Sequence, residues 1–219
     1  MTVKKGLWIS LAATVAIIAM AVLFIGMKIY TPTKGNKIGK YTAPRKALLV
    51  VDVQEDYTGH KGKQPPLFKD VEGQIATINR LIDDASRSDM KVVYIRQVFD
   101  NNFITRSFVG RTIDGLPGTE IDSRIRVVNQ NDFTKRISDA FSNPQLEEFL
   151  INNQVDELYL VGLDAAYCVY YTALGALNRG YKVKVVKDAV MSRKSMDDVL
   201  KCYKDKGILL TVSSEITGI

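Results

Sequence analysis

Cys168, Lys135 and Asp52 are the side chains of this 219-residue chain best suited to act together in covalent chemistry. Cys168 opens a helical pattern in which Val169, Thr172, Ala173, Ala176 and Leu177 share one face before Gly180 ends it. A thiol in the first turn of a helix lies beside orphan backbone N–H groups and the positive end of the dipole. The position therefore predicts a lowered thiol pKa and an available thiolate. A lysine ammonium beside the thiolate would stabilise it further, and an adjacent carboxylate could take the thiol proton and pass it to a leaving group. Together these describe nucleophilic hydrolysis of an acyl group. Taken singly, each residue has an ordinary structural role: a cysteine as a small core hydrophobe, a strand-end aspartate as a turn or cap residue, a lysine as a solvated charge. Only joint placement separates the two readings.

The elements around these residues predict that placement. Lys46–Val53 (KALLVVDV) reads as a buried strand with Asp52 near its carboxyl end, and a short strand is expected near Asp132–Lys135. Leu158–Val161 is a third apolar run, which passes through Gly162 and a sharp turn into the Cys168 helix. Further strands are expected at Lys91–Gln97, Lys182–Val186 and Ile208–Val212. Helices are expected after Asp70, which can cap the pattern Ile75, Ile78, Leu81, Ile82 and Ala85, then at Pro144–Ile151 and at Ser195–Tyr203. Apolar strands alternating with helices predict an α/β fold, a Rossmann-like three-layer sandwich with an approximately six-stranded, mainly parallel sheet and helices on both faces. In such sheets ligands bind beyond the carboxyl ends of the strands, where strand order reverses. Asp52, Lys135 and Cys168 all fall on that rim. The long loop Asn101–Arg124 is expected to cover the site.

Charge is unevenly distributed. Residues 1–46 hold 8 of the 30 basic residues and no acid, leaving 22 basic against 24 acidic side chains in the remaining 173. The folded part is thus not basic, which removes the electrostatic argument for a nucleic-acid partner. Leu7–Met27 is a nearly unbroken apolar run without charge, long enough to cross about 30 Å of hydrocarbon as a helix. It reads as a transmembrane anchor over residues 1–28, with Trp8 and Tyr30 at the two interfaces, a basic linker over 29–45 and a hydrolase domain over 46–219. The run exceeds the apolar core of a signal peptide, and no small-x-small cleavage site follows it. Six Lys/Arg follow the run within 19 residues, against two lysines before it. That asymmetry predicts a single-pass protein of the cell membrane with a cytoplasmic C-terminal domain. Two cysteines, Cys168 and Cys202, suggest no disulfide framework.

Several segments resemble the isochorismatase-like cysteine hydrolase superfamily, which includes nicotinamidases, N-carbamoylsarcosine amidohydrolases and isochorismatases. They are ALLVVDVQEDY at Ala47–Tyr57, LPGTEID at Leu116–Asp122, DFTKRISDAF at Asp132–Phe141 and VGLDAAYCVYYTALGALNRGYKVKVVKDAV at Val161–Val190. The resemblance implies Cys168 as nucleophile, Asp52 as proton acceptor and donor, and Lys135 as the stabilising cation. It also implies a cis peptide between Leu163 and Asp164, with the backbone N–H groups of Asp164 and Cys168 as an oxyanion hole. The expected substrate is a small molecule carrying an amide or ureido group, cleaved at C–N through a thioester. Tyr57, Phe99, Phe141 and Tyr167 are candidate pocket walls, each equally readable as core. A homo-oligomer is expected by analogy with the family.

The sequence also departs from the resemblance. Nicotinamidases carry an aspartate and histidine metal site, whereas this chain has a single histidine, His60. Gln97, Val98, Phe99 and Asp100 stand where a histidine-containing turn would follow the second strand. No metal and no cofactor are therefore expected. Three other readings stay open at this point: a catalytically idle domain binding a metabolite or partner, isochorismatase-type ether hydrolysis, and a redox pair of Cys168 with Cys202.

Overall fold

In the computed structural model, residues 14–17, 20, 24, 26–62, 64–68 and 71–216 are described. Strand β1 (Arg45–Val51) shares its side chains between two cores. Ala47, Leu49 and Val51 enter one and Leu48 and Val50 the other, which is why the run is continuously apolar. The other strands are β2 (Lys91–Gln97), β3 (Asp132–Lys135), β4 (Val155–Leu163), β5 (Lys182–Met191) and β6 (Leu209–Thr211). They form one sheet in the order β3-β2-β1-β4-β5-β6, with every neighbouring pair parallel. Helix α1 (Glu72–Arg87) covers one face through Ile75, Ile78, Leu81, Ile82 and Ala85. Helices α2 (Pro144–Asn152), α3 (Cys168–Arg179) and α4 (Met196–Asp205) contribute to the core on the other face through residues such as Leu146, Val169, Ala173 and Tyr203.

Strand order explains where a site can form. From β1 the chain builds outward through β2 and β3 on one side, then returns to add β4, β5 and β6 on the other. The order reverses between β1 and β4, so the helices following these two strands leave from opposite faces and a crevice opens beyond their carboxyl ends.

The close approach of β1 and β4 depends on Gly162. Its φ is +103°, and a Cβ there would lie 2.1 Å from the Val51 carbonyl oxygen. Gly162→Ala is expected to cost on the order of 3 kcal/mol, read as a lower denaturation midpoint at unchanged slope.

Element boundaries differ by a few residues: β1 stops at Val51 rather than Val53, and β4 spans Val155–Leu163 around the expected Leu158–Val161. Strand β5 continues to Met191 rather than stopping at Val186. Asp70 lies outside the described residues, and α1 starts with no side-chain cap from Val71.

The N-terminal segment requires a larger correction. Among the described residues no helix is long and apolar enough to cross a membrane, so the transmembrane helix expected over Leu7–Met27 is not supported. An apolar run satisfies the composition of a spanning helix, but spanning also needs about 20 continuous helical residues. Trp8 and much of the run lie outside the described residues. Tyr30, expected at a lipid interface, packs on the domain instead, its ring 5.6 Å from Tyr167 and 5.9 Å from Tyr171.

Residues 31–40 carry no helix or strand, yet they are bound along the domain. Thr33 donates from both its backbone N–H and its hydroxyl to Asp139 Oδ2, each at 2.7 Å. The Thr33 carbonyl accepts from Asn178 Nδ2 at 2.8 Å, and the Ile38 N–H donates to the Arg179 carbonyl at 2.8 Å. A segment whose composition suggests a linker is thereby a strap laid over α3.

Candidate active site

Lys135 Nζ is the centre of the crevice. It donates to Asp52 Oδ2 at 2.8 Å, to Gln97 Oε1 at 2.7 Å and to Cys168 Sγ at 3.2 Å. Each partner comes from the end of a different strand or from the helix after one. Asp52 follows β1 directly with φ +54°, a left-handed conformation that turns its carboxylate into the crevice. Lys135 ends β3, two strands from β1, so its long side chain must cross the end of β2 to reach Asp52. Gln97 ends β2 on that path, accepting from the ammonium while its Nε2 donates to the Lys135 carbonyl at 3.1 Å. Gln54 locks Gln97 in turn, taking the Gln97 N–H at 2.8 Å and donating to its carbonyl at 3.0 Å.

Gln97 is a site residue that the sequence reading passed over, having noted it only for the histidine it replaces. Its place at the carboxyl end of a central strand was the available signal. No local pattern shows that a lysine from β3 would need a third acceptor.

The side chains of Lys135 and Asp52 are 0% and 2% exposed, so neither charge is eased by water. Burial works against the Lys135 ammonium, but the carboxylate of Asp52 and the sulfur of Cys168 outweigh it and raise its pKa, so it stays protonated. Burial raises the Asp52 carboxyl against the pull of Lys135. Asp52 Oδ1 is buried, and the Cys168 thiol stands beside the carboxyl as a hydrogen-bond donor.

The Cys168 thiol departs from expectation. Burial and the Asp52 carboxylate together push it up to about 12, outweighing the lowering by Lys135. The helix N-terminus predicted a low pKa because it counts one partial charge and omits both the loss of water and the neighbouring anion. The resting nucleophile is thus a thiol. Alkylation of Cys168 in the free enzyme is expected to rise with pH at a midpoint well above the roughly 8.5 of an unperturbed thiol. Peptide mass spectrometry across a pH series checks this, and a midpoint below that value would show that a thiolate already exists at rest.

Over these groups lies a cavity of about 140 Å³. Tyr57, Phe99 and Tyr167 line it, while Phe141 does not. Phe141 is 3% exposed in the core, 5.6 Å from the Tyr181 ring and under the Arg179 guanidinium, because it follows the turn after β3 down onto the sheet. The peptide between Leu163 and Asp164 is cis. Cys168 is the first residue of α3, where backbone N–H groups have no intrahelical acceptor. Asp164 is held by its own side chain, which accepts from the Ala166 N–H at 2.9 Å and from Arg193 Nε at 3.0 Å.

The loop 101–124 contributes nothing to the cavity lining, contrary to expectation. It braces the segment after β1 instead. The Thr112 N–H donates to Asp56 Oδ2 at 2.5 Å, and the Thr112 hydroxyl lies 3.3 Å from that of Tyr57. Cys168 and Cys202 are both free thiols. Cys202 borders a different cavity, between α3 and α4.

The Isochorismatase domain family matches residues 46–205. The nicotinamidase of Escherichia coli (strain K12) is 25% identical over 178 residues, which cover 66% of this chain and 82% of that protein. The solved N-carbamoylsarcosine amidase of Thermoplasma acidophilum aligns with a TM-score of 0.66 at 27% identity, over 80% of this chain and 99% of that one. The pyrazinamidase of Pyrococcus horikoshii, solved in complex with zinc, aligns with a TM-score of 0.67 at 25% identity, over 77% and 99%. The described residues offer no donor set for such an ion. Among the described residues no three His, Cys, Asp or Glu side chains are grouped to hold a metal. His60 is exposed, and nearby Glu55 is committed to the backbone N–H groups of His60, Lys61 and Ser123. The sheet order, the rim on which Asp52, Lys135 and Cys168 meet and the matched length agree: the chain belongs to the isochorismatase family and is an isochorismatase-like hydrolase.

Proposed function

We propose that this hydrolase cleaves a C–N bond of a small amide or ureido compound through a thioester on Cys168. The observation that carries the reading is the single ammonium of Lys135 touching Asp52, Gln97 and Cys168 at the floor of one cavity. The nicotinamidase and N-carbamoylsarcosine amidase names among the relatives support the same class.

In the cycle that follows, the substrate carbonyl enters with its oxygen toward the backbone N–H groups of Asp164 and Cys168. The Cys168 thiol passes its proton to Asp52 Oδ1 as sulfur attacks the carbonyl carbon. Lys135 stays protonated and holds the sulfur's negative charge as it forms, while the two N–H groups stabilise the oxyanion. Asp52 then gives its proton to the leaving nitrogen, the C–N bond breaks, and ammonia or an amine departs. Water attacks the thioester after losing a proton to Asp52. Collapse releases the acid, and sulfur recovers the proton from Asp52. The sum is one amide and one water to one acid and one amine.

The test is a panel of small primary amides and ureido acids assayed for released ammonia, with acid-quenched samples examined by peptide mass spectrometry. The expected result is an acyl mass on the Cys168 peptide during turnover of an active substrate. Turnover with no acyl mass there, and undiminished in Cys168→Ala, would remove the covalent mechanism.

A further inference from the structure

The catalytic cavity has a wall that the family domain does not supply. The family match begins at residue 46, yet Ile29 and Tyr30 line the same cavity as Asp52 and Cys168. We infer that the strap over residues 29–38 is a built part of the active site, and that the Tyr30 ring limits the size of substrate that reaches Cys168.

Three connections hold the strap at that place. The Ile29 carbonyl accepts from the Ser138 N–H at 3.1 Å, fixing it three residues beyond Lys135. Tyr30 packs by its ring on Tyr167, the residue before the nucleophile, and on Tyr171 one turn along α3. Thr33 is clamped between Asp139, which accepts two bonds from it, and Arg179, whose Nη1 donates to the Thr33 hydroxyl at 2.9 Å. Asp139 and Arg179 are buried, at 0% and 3% exposure, so the clamp works where water does not compete.

The arrangement is that of a specificity wall. An aromatic ring packed on two other rings, in a residue that is 47% exposed, presents a shape without needing a charge. The cavity it borders is only about 140 Å³, so substituent size at the mouth is where selection acts. The Tyr30 hydroxyl has no part in this account, and the ring is the operative group.

The inference uses the hydrolase reading only to locate Cys168, and its test reads access rather than turnover, so either can fail without the other. Full-length protein is alkylated at alkaline pH with iodoacetamide and, separately, with a bulky aryl maleimide. Modification of the Cys168 peptide is followed by mass spectrometry, with exposed Cys202 as internal control. Tyr30→Ala is expected to speed the bulky reagent at Cys168 on the order of tenfold while the iodoacetamide rate stays as in the wild type. Tyr30→Phe is expected to match the wild type with both reagents. Thr33→Val, which weakens the clamp without touching the cavity, is expected to speed the bulky reagent in the same direction. A bulky-reagent rate unchanged in Tyr30→Ala, or both reagents speeding equally, would overturn the inference.

Discussion

Asp52→Asn is expected to lower turnover by about 10²- to 10⁴-fold while making Cys168 react faster with an alkylating agent at neutral pH. The two effects have opposite sign because Asp52 has two roles in the proposed cycle. As a base and acid it must accept the thiol proton and return it to the leaving nitrogen, which an amide cannot do. As a fixed anion beside Cys168 it raises the thiol pKa, second only to burial. Asparagine removes the anion and keeps an oxygen of similar position for Lys135, whose ammonium then lowers the thiol against burial alone. Each unit by which the thiol pKa falls raises the thiolate fraction at neutral pH about tenfold. Steady-state ammonia release and iodoacetamide kinetics on the same preparation check both parts. A variant in which turnover and alkylation fall together would mean that Asp52 activates the thiol in the resting enzyme, contrary to the assignment made here.

Lys135→Met is expected to abolish turnover and to destabilise the fold by about 3–5 kcal/mol, the usual cost of removing one partner of a buried ion pair. The methionine fills much of the lysine's volume, so the loss is electrostatic. It leaves the Asp52 carboxylate and Gln97 Oε1 facing an apolar side chain with no donor. The pH dependence of the loss has a definite sign. Asp52 is already raised by burial, and without Lys135 its folded value climbs further above its unfolded value. A carboxyl raised on folding contributes stability that is fully present below the unfolded value of about 3.9 and is lost as pH rises through the folded value. The deficit of Lys135→Met is therefore largest at neutral and alkaline pH and shrinks on acidification. Denaturant unfolding of both proteins at several pH values measures it. A deficit independent of pH would assign the loss to packing instead.

These two substitutions also explain why the trio is unlike a binding pocket that merely retains its residues. A buried lysine and aspartate cost desolvation that a hydrophobic pair would avoid. Such a site fits a cycle in which the Asp52 carboxyl takes up and gives back a proton in each half-reaction.

By itself the sequence determined the elements and the rim. Apolar strands alternating with amphipathic helices specify a parallel sheet covered on both faces, because a continuous apolar strand has no face to spare for water. Asp52, Lys135 and Cys168 each stood at or just beyond the end of such a strand, so the end of the sheet they share follows from chain direction alone. Tertiary structure decided what those residues are. Cys168 is a raised thiol because its pKa sums burial, Asp52 and Lys135, whereas the sequence displays only the helix start. Gln97 belongs to the site because β2 lies between β3 and β1, and strand order is not written in any one strand. Phe141 is core and Tyr30 is wall because side-chain direction depends on where a turn or strap settles against α3. The apolar run before residue 28 has the composition of a spanning helix, but among the described residues no helix is long and apolar enough to cross a membrane.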